Sequence, residues 1–251
     1  MPLKVHQFAC LKDNYGFLAR DEASGEVACI DTPDADAILA ELATLGWRLT
    51  LIMNTHWHPD HAGGNAKIKA QTGCEIVGPG EVTRIAPLDR PVGEGDVVAL
   101  GDTRFEVLET GGHTLGHIAY VDRADKIAFV GDTLFALGCG RLFEGTAEQM
   151  WTSLSKLAAL PDQTLVYCAH EYTAANARFA LSVDQSEALK SRAQAVFAAR
   201  ERGEPTVPTT IGQEKAANPF LRAPQLKLGL GAASDAQAFA AVRQAKDVFQ
   251  G

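Results

Sequence analysis

The segment THWHPDH at positions 55–61 constrains the fold of this chain more than any other feature. Its candidate metal-binding side chains are His56, His58, Asp60 and His61. Chance would produce this pattern in roughly 3 of 10,000 sequences of the same composition. Imidazole and carboxylate groups are the usual nitrogen and oxygen ligands of zinc, iron and manganese ions. Because an apolar run at 49–53 precedes the segment, we expect a metal site at the carboxyl end of a buried strand.

Further candidate ligands follow other apolar runs. An open catalytic zinc site takes three protein ligands, so four ligands in one loop are too many for one such site and too few for two. His113, Asp132 and His170 each stand where the chain leaves an apolar run. Together they complete two three-ligand sites with one carboxylate to share. We expect His117 to support the site from outside the ligand set and His6 to be structural.

The first two-thirds of the chain read as strands with two clear helices. Apolar spacing predicts a helix over 35–45 that ends at Gly46. Thr146 and Gln149 resemble a capping box that opens a helix ending before Pro161. The predicted strands cover 5–10, 15–19, 27–30, 49–53, 75–77, 97–100, 104–108, 118–121, 127–130 and 165–168.

The last third of the chain has a different composition. Residues 172–202 are rich in alanine, show helical spacing and contain no Gly or Pro, which predicts helical structure. A connector rich in Pro, Thr and Gly at 203–212 follows, and 234–249 read as a capped helix. We therefore predict a domain boundary near residue 171, with a catalytic domain at 1–171 and a helical domain at 172–251.

Charge and cysteine usage exclude several classes of protein. The 251 residues include 23 Lys and Arg against 31 Asp and Glu, a net charge of -8, which disfavours nucleic acids and anionic membranes as partners. No stretch reaches the roughly 18 apolar residues of a membrane span, and no apolar signal segment begins the chain. Five cysteines without a CxxC pair are typical of reduced thiols, so we expect a cytoplasmic protein.

The order of the motifs resembles a known family. THWHPDH followed by GGHTLGH, VGDT and CAHEYT resembles the metallo-β-lactamase superfamily. Within it, GDTLFALGCGRLFEGTAEQM, AHEYTAANARFA, NPFLR and AVRQAKDVF resemble the glyoxalase II (hydroxyacylglutathione hydrolase) family across almost the whole chain. The resemblance implies an α/β fold, a four-layer αββα sandwich, followed by a helical substrate-binding domain.

The resemblance also implies roles for individual residues. By it, one metal ion is held by His56, His58 and His113, a second by Asp60, His61 and His170, and both by Asp132. Zinc, iron and manganese all fit such a pair of divalent ions. Asp31 matches a residue that supports the ligands, although it is equally compatible with capping the following helix. Asn14 and Tyr15 match an N-terminal family motif, and we expect them to form a turn and a core aromatic.

The implied reaction is hydrolysis of S-D-lactoylglutathione to glutathione and D-lactate, the second step of methylglyoxal detoxification, by a hydroxide that bridges the metals and that Asp60 orients. A thiolate leaves without a strong acid, so we do not expect Cys139, in an apparent tight turn, to act as a nucleophile. The residues matched to substrate binding are Arg141, Tyr172, Arg243 and Lys246. For the last two, the alternative is a solvated helix face. Phe143 stands where some members have a tyrosine.

Other readings stay open from the sequence. The same metal site could serve a lactonase, a β-lactamase or a phosphodiesterase, or a persulfide dioxygenase with one iron. A module that binds metal without catalysis is a further alternative, although such members typically lose ligands. The acidic charge does not exclude a small anionic substrate, because residues 172–251 carry ten basic against seven acidic residues and bound cations reverse the local sign. We expect a monomer.

Overall fold

A computed structural model of the chain describes residues 3–250. The strands are β1 (Leu3–Cys10), β2 (Asn14–Asp21), β3 (Val27–Ile30), β4 (Leu49–Met53), β5 (Glu75–Gly78), β6 (Arg90–Pro91), β7 (Val97–Leu100), β8 (Thr103–Glu109), β9 (Ile118–Asp122), β10 (Ile127–Gly131), β11 (Leu134–Phe135), β12 (Gly138–Cys139), β13 (Leu165–Cys168) and β14 (Thr209–Thr210). The α-helices are α1 (Ala35–Leu45), α2 (Pro59–Ala62), α3 (Asn65–Thr72), α4 (Ala147–Ala158), α5 (Thr173–Val183), α6 (Glu187–Glu201), α7 (Ile211–Ala217) and α8 (Asp235–Asp247). Short 3-10 helices lie at Gly80–Arg84, Ala223–Gln225 and Lys227–Gly229. Among these helices, none is long and apolar enough to cross a membrane.

The chain divides into two compact units. The first unit runs up to Glu109 and includes Gly116–Gly131, and the second contains Thr110–Leu115 and the chain from Asp132 onward. In the first unit, strands β1 to β6 form one mixed sheet in sequential order, parallel from β3 to β6. Strands β7 to β10 form an antiparallel meander beside it in the same unit.

Aromatic side chains join the inner faces of these two sheets. The ring of Phe17 on β2 lies 5.8 Å from the ring of Phe129 on β10, and Phe129 lies 6.2 Å from Phe105 on β8. All three rings are buried. Because sandwiched sheets exclude water through such side chains, these contacts form the centre of the first unit.

Helix α1 covers the outer face of the first sheet. Its side chains Ile38 and Leu42 belong to an apolar cluster with Leu49 and Ile52 of β4. The Asp34 side chain accepts hydrogen bonds from the first turn, and Gly46 ends the helix in the left-handed region at φ 64°. The predicted helix over 35–45 and its glycine stop are therefore confirmed.

The second unit is mostly helical. Its core cluster joins Leu189 and Ala193 of α6 to Ala177 and Ala180 of α5. The wholly buried carboxylate of Glu214 accepts hydrogen bonds from the backbone of Leu137 and the side chains of Thr209, Asn218 and Arg192. The capping box predicted at Thr146 and Gln149 opens α4 as expected.

The helical prediction over 172–202 is confirmed by α5 and α6. The two helices are separate because the Asp184 side chain accepts hydrogen bonds from the backbone and hydroxyl of Ser186 and interrupts the run. Two other local predictions in the second unit were wrong. The connector at 203–212 contains β14, which pairs with β13, and the start of α7. Cys139 lies in strand β12 and not in a tight turn.

Asp21 connects the two sheets of the first unit and generates a stability prediction. Its buried carboxylate accepts hydrogen bonds from the backbone of Ser24 at 2.7 Å and of Asp102 and Thr103 at 3.0 and 2.9 Å. Burial alone raises the pKa of Asp21, but the hydrogen bonds from Ser24 and Thr103 outweigh it and hold this pKa below its ordinary value. A lowered pKa stabilises the fold above the unfolded value of about 3.9, and the contribution is lost as pH falls further.

We predict that Asp21→Asn lowers the free energy of unfolding by about 3 kcal/mol at pH 7, since a buried charge-assisted network is broken. Urea unfolding of the metal-loaded protein measures this. The curves of variant and wild type should converge as pH falls below about 4. The control is Asp36→Asn, whose partner Lys67 forms an exposed ion pair worth about 0.5 kcal/mol. Equal losses at pH 7 for the two variants would contradict the assignment.

Candidate metal centre and substrate-binding residues

The loop after β4 turns its histidines toward one another. The Nε2 atom of His56 lies 3.0 Å from the Nδ1 atom of His58. Pro59 then begins the short helix α2, which carries Asp60 and His61. His56 and His61 are buried, whereas the Asp60 side chain is 38% exposed. The turn of α2 allows the four candidate ligands among residues 56–61 to lie in the same region.

Asp31 fixes the orientation of His61. Its carboxylate accepts hydrogen bonds from the backbone and hydroxyl of Thr55 at 2.7 and 2.8 Å, and pairs with Nδ1 of His61 at 2.8 Å. The cap of α1 is Asp34. Of the two interpretations of Asp31, the structure therefore supports the one in which it positions a candidate ligand. The other ring nitrogen of His61, Nε2, lies 3.6 Å from Asp60.

Asn14 contacts the same ligand region, which sequence reasoning missed. Its amide nitrogen donates to the Oδ2 atom of Asp60 at 3.1 Å. The sequence predicts only a turn at Asn14, and the DNYG motif is the one signal that points to a further role. Tyr15 is buried beside Phe17, as expected for a core aromatic.

The two histidines left over in the sequence have different surroundings. His117 is fully buried and stacks on His56 with ring centroids 4.8 Å apart. A Cβ atom on Gly131, at φ 48°, would come within 2.7 Å of this ring, so glycine is required there. His6 pairs with Glu41 at 2.9 Å and is partly exposed, which agrees with its expected structural role.

The second unit contains the remaining three candidate ligands. The two Asp132 oxygens lie 3.4 Å from Nε2 of His113 and 3.4 Å from Nε2 of His170. The Nδ1 atom of His113 lies 2.8 Å from the carbonyl oxygen of Arg141. A carbonyl oxygen only accepts hydrogen bonds, so Nδ1 carries the proton. The unprotonated Nε2 atom can then offer its lone pair to a cation.

These distances fit the coordination of divalent cations. With metal–ligand bonds of 2.0–2.2 Å, two neighbouring ligand atoms lie about 2.8–3.6 Å apart. The four separations above, from 3.0 to 3.6 Å, fall in this range. The donor set therefore suits a divalent metal centre.

The cationic residues matched to substrate binding share one acidic neighbour. Arg243 is buried, donates to the carbonyl oxygen of Cys139 at 3.2 Å and pairs with Asp247 at 2.8 Å. Arg141 is 58% exposed and lies 3.6 Å from the same carboxylate. Arg243 thus does not lie on a solvated helix face, which was the alternative.

Lys246 is half-buried one turn from Arg243. Its ammonium lies 5.3 Å from the ring centre of Phe179 and 5.5 Å from that of Phe249. Burial, reinforced by the charges of Arg243 and Arg178, lowers the pKa of Lys246. The two basic residues of α8 are therefore packed against aromatic side chains.

Two aromatic side chains flank candidate ligands. The ring of Tyr172 stacks on His170 with centroids 4.7 Å apart and planes at 2°. Phe143 is 60% exposed and meets the ring of His113 edge-on at 5.2 Å. Both aromatic residues thus contact a candidate ligand and are at least partly exposed.

Cys139 lacks the properties of a nucleophile. Its side chain is buried, and this burial raises the pKa of the thiol to about 11, although Arg243 acts in the opposite direction. The thiolate is therefore scarce at neutral pH. All five cysteines are buried as free thiols, as expected for a reduced protein.

Comparison with known proteins identifies the family. The metallo-beta-lactamase superfamily model matches residues 23–170, and the model of the hydroxyacylglutathione hydrolase C-terminus matches residues 171–249. The hydroxyacylglutathione hydrolase of Maricaulis maris (strain MCS10) is 57% identical, over 98% of this chain and 99% of the relative. The chain belongs to the hydroxyacylglutathione hydrolase family of the metallo-β-lactamase superfamily.

Other hydroxyacylglutathione hydrolases and a solved structure agree with this membership. The hydroxyacylglutathione hydrolase of Erythrobacter litoralis (strain HTCC2594) is 53% identical over 98% of this chain and all of the relative. The crystal structure of ETHE1 from Myxococcus xanthus is 27% identical, covers 96% of this chain and 90% of that chain, and superposes with a TM-score of 0.70. The predicted metallo-β-lactamase fold with a C-terminal helical region is thereby confirmed.

Proposed function

We propose that this chain hydrolyses S-D-lactoylglutathione and related 2-hydroxyacyl glutathione thioesters to glutathione and the hydroxy acid. The observation that carries the proposal is the match over nearly the full length to hydroxyacylglutathione hydrolases, including their C-terminal region. The His and Asp donor set of the candidate metal centre supports it independently, because that chemistry needs a hydrolytic metal site.

The family motifs and the distances within each unit support a proposed set of metal ligands. We assign His56, His58 and His113 to one divalent cation, Asp60, His61 and His170 to another, and Asp132 to both. When bound, such a pair of cations supplies a water ionised near neutral pH and stabilises negative charge on the thioester oxygen. Imidazole and carboxylate ligands suit zinc first, and also iron and manganese.

The protein's own side chains orient the reactants. Asp31 holds the ring of His61, and Asp60 has a partly exposed carboxylate that can accept a hydrogen bond from the attacking water. The leaving group is a thiolate whose conjugate acid has a pKa of about 8.5, so it departs without a strong general acid. This fits the burial of Cys139, since neither a covalent nucleophile nor an acid is needed from that thiol.

Binding of the glutathione portion is assigned to cationic and aromatic residues of the second unit. Glutathione carries two carboxylates that need positively charged partners. The three positive charges of Arg141, Arg243 and Lys246 outnumber the single negative charge of Asp247, their common neighbour. Tyr172 adds a partly exposed ring and hydroxyl. We propose that residues 172–251 act as the substrate-binding domain, together with Arg141.

The alternative substrates receive no comparable support. A neutral lactone would not call for this group of cations, and the match of residues 171–249 to the hydroxyacylglutathione hydrolase C-terminus favours a glutathione thioester over a phosphodiester. A module without catalytic function would not be expected to retain all seven candidate ligands. Cytoplasmic location, the monomeric state and the identity of the metal stay predictions.

Hydrolysis of S-D-lactoylglutathione, followed by loss of the thioester absorbance, tests the function directly. We expect turnover by the wild type and a fall in kcat/KM of about 100-fold or more for His56→Ala, because a metal ligand is lost. His6→Ala is the matched control, since that histidine pairs with Glu41 away from the ligands. Equal inactivity of wild type and His56→Ala on this thioester would show that the substrate is wrong.

A second prediction concerns the glutathione portion. The double variant Arg141→Ala/Lys246→Ala should raise KM about tenfold while kcat changes less than about threefold. The reason is that these charges bind the glutathione carboxylates equally well in the ground state and in the transition state. Arg243 is left intact since its buried contacts also support the fold. Steady-state kinetics measure the effect, and the exposed Lys227→Ala is the control. An unchanged KM would contradict the assignment.

A further inference from the structure

We propose that Asn14 is a positioning residue for the carboxylate of Asp60 and thereby controls the affinity of one of the two metal positions. The inference rests on the proposed function, because it takes Asp60 as a metal ligand. It adds a residue that the ligand motifs do not contain, 46 positions away in the chain.

The backbone holds Asn14 in a fixed place. Asn14 begins β2 and pairs with Cys10 at the end of an eight-residue antiparallel ladder with β1. Its side chain is 6% exposed. A buried side chain on a paired strand loses little further freedom when it makes a hydrogen bond, so the amide is presented in one orientation.

The hydrogen bond selects one oxygen of the carboxylate. Asn14 Nδ2 lies 3.1 Å from Oδ2 of Asp60, and the same oxygen lies 3.6 Å from Nε2 of His61. The terminal torsion of an aspartate is otherwise broad. The amide therefore fixes the carboxylate in the rotation that brings Oδ2 within ligand spacing of His61.

An amide suits this task because it donates without competing for the cation. A carboxylate oxygen has two lone pairs, so Oδ2 can accept from Asn14 and still bind a metal. The Asp60 side chain is 38% exposed. Without the amide, the carboxylate loses the hydrogen bond that holds Oδ2 beside His61.

The decisive variants are Asn14→Ala and Asn14→Asp, the latter nearly equal in volume but without the amide donor. The zinc-loaded full chain is titrated with a chromogenic chelator, which resolves the two metal positions. We expect one position to weaken about 10–100-fold, as for other residues that orient ligands, and the other to change less than about threefold. Added zinc should restore thioester hydrolysis to both variants.

Asn176→Ala is the matched control, because Asn176 is also 6% exposed and donates to a backbone carbonyl, that of Ala136. It should leave both zinc affinities unchanged. Unchanged affinities in both Asn14 variants would overturn the inference. So would equal weakening of both positions with a lowered melting temperature of the metal-free chain, which indicates a structural role. If instead the wild type binds two zinc ions but does not hydrolyse the thioester, the proposed function fails and the inference about Asn14 stands.

Discussion

The hydrogen bonds of the Asp31 carboxylate are the constraint on which the loop after β4, here called the ligand loop (residues 54–58), depends. Asp31 follows β3 in the left-handed region, at φ 57°, and its backbone amide donates to the carbonyl of Met53 at the end of β4. That conformation costs about 1 kcal/mol or more for a residue other than glycine. The bonds from Thr55 and His61 offset it, since hydrogen bonds to an ionised carboxylate are strong. The adjacent ends of two parallel strands are thus locked at the point where the ligand loop begins.

The same arrangement recurs around other candidate ligands. His61 is held by Asp31, His113 by the carbonyl of Arg141, and Asp60 by Asn14. In the two histidines one ring nitrogen binds a fixed partner in the protein and the other lies near a neighbouring candidate ligand, whereas in Asp60 the same oxygen does both. Preorganisation of this kind reduces the entropy lost when a cation binds, because the side chains are already oriented.

Sequence patterns predicted those features that depend on local chemistry. The helix stop at Gly46 and the capping box at Thr146 could be found because each rests on residues a few positions apart. The break between α5 and α6 at Asp184 was not predicted. It depends on one side-chain hydrogen bond, and the alanine-rich helical spacing on both sides gives no sign of it. Strand β14 depends on pairing with β13 over more than 40 residues, and short segments of this kind carry little local signal. The contact of Asn14 with Asp60 escaped for the same reason, whereas the histidines were identified by their clustering.

The most direct test of the account is activity as a function of zinc added to the metal-free chain. Hydrolysis of S-D-lactoylglutathione should reach its maximum only when a second equivalent has bound. The variant His170→Ala, which removes a proposed ligand of one position, should bind one equivalent with high affinity and stay well below the activity of the wild type. Full activity of the wild type at one equivalent or without metal would contradict the central claim.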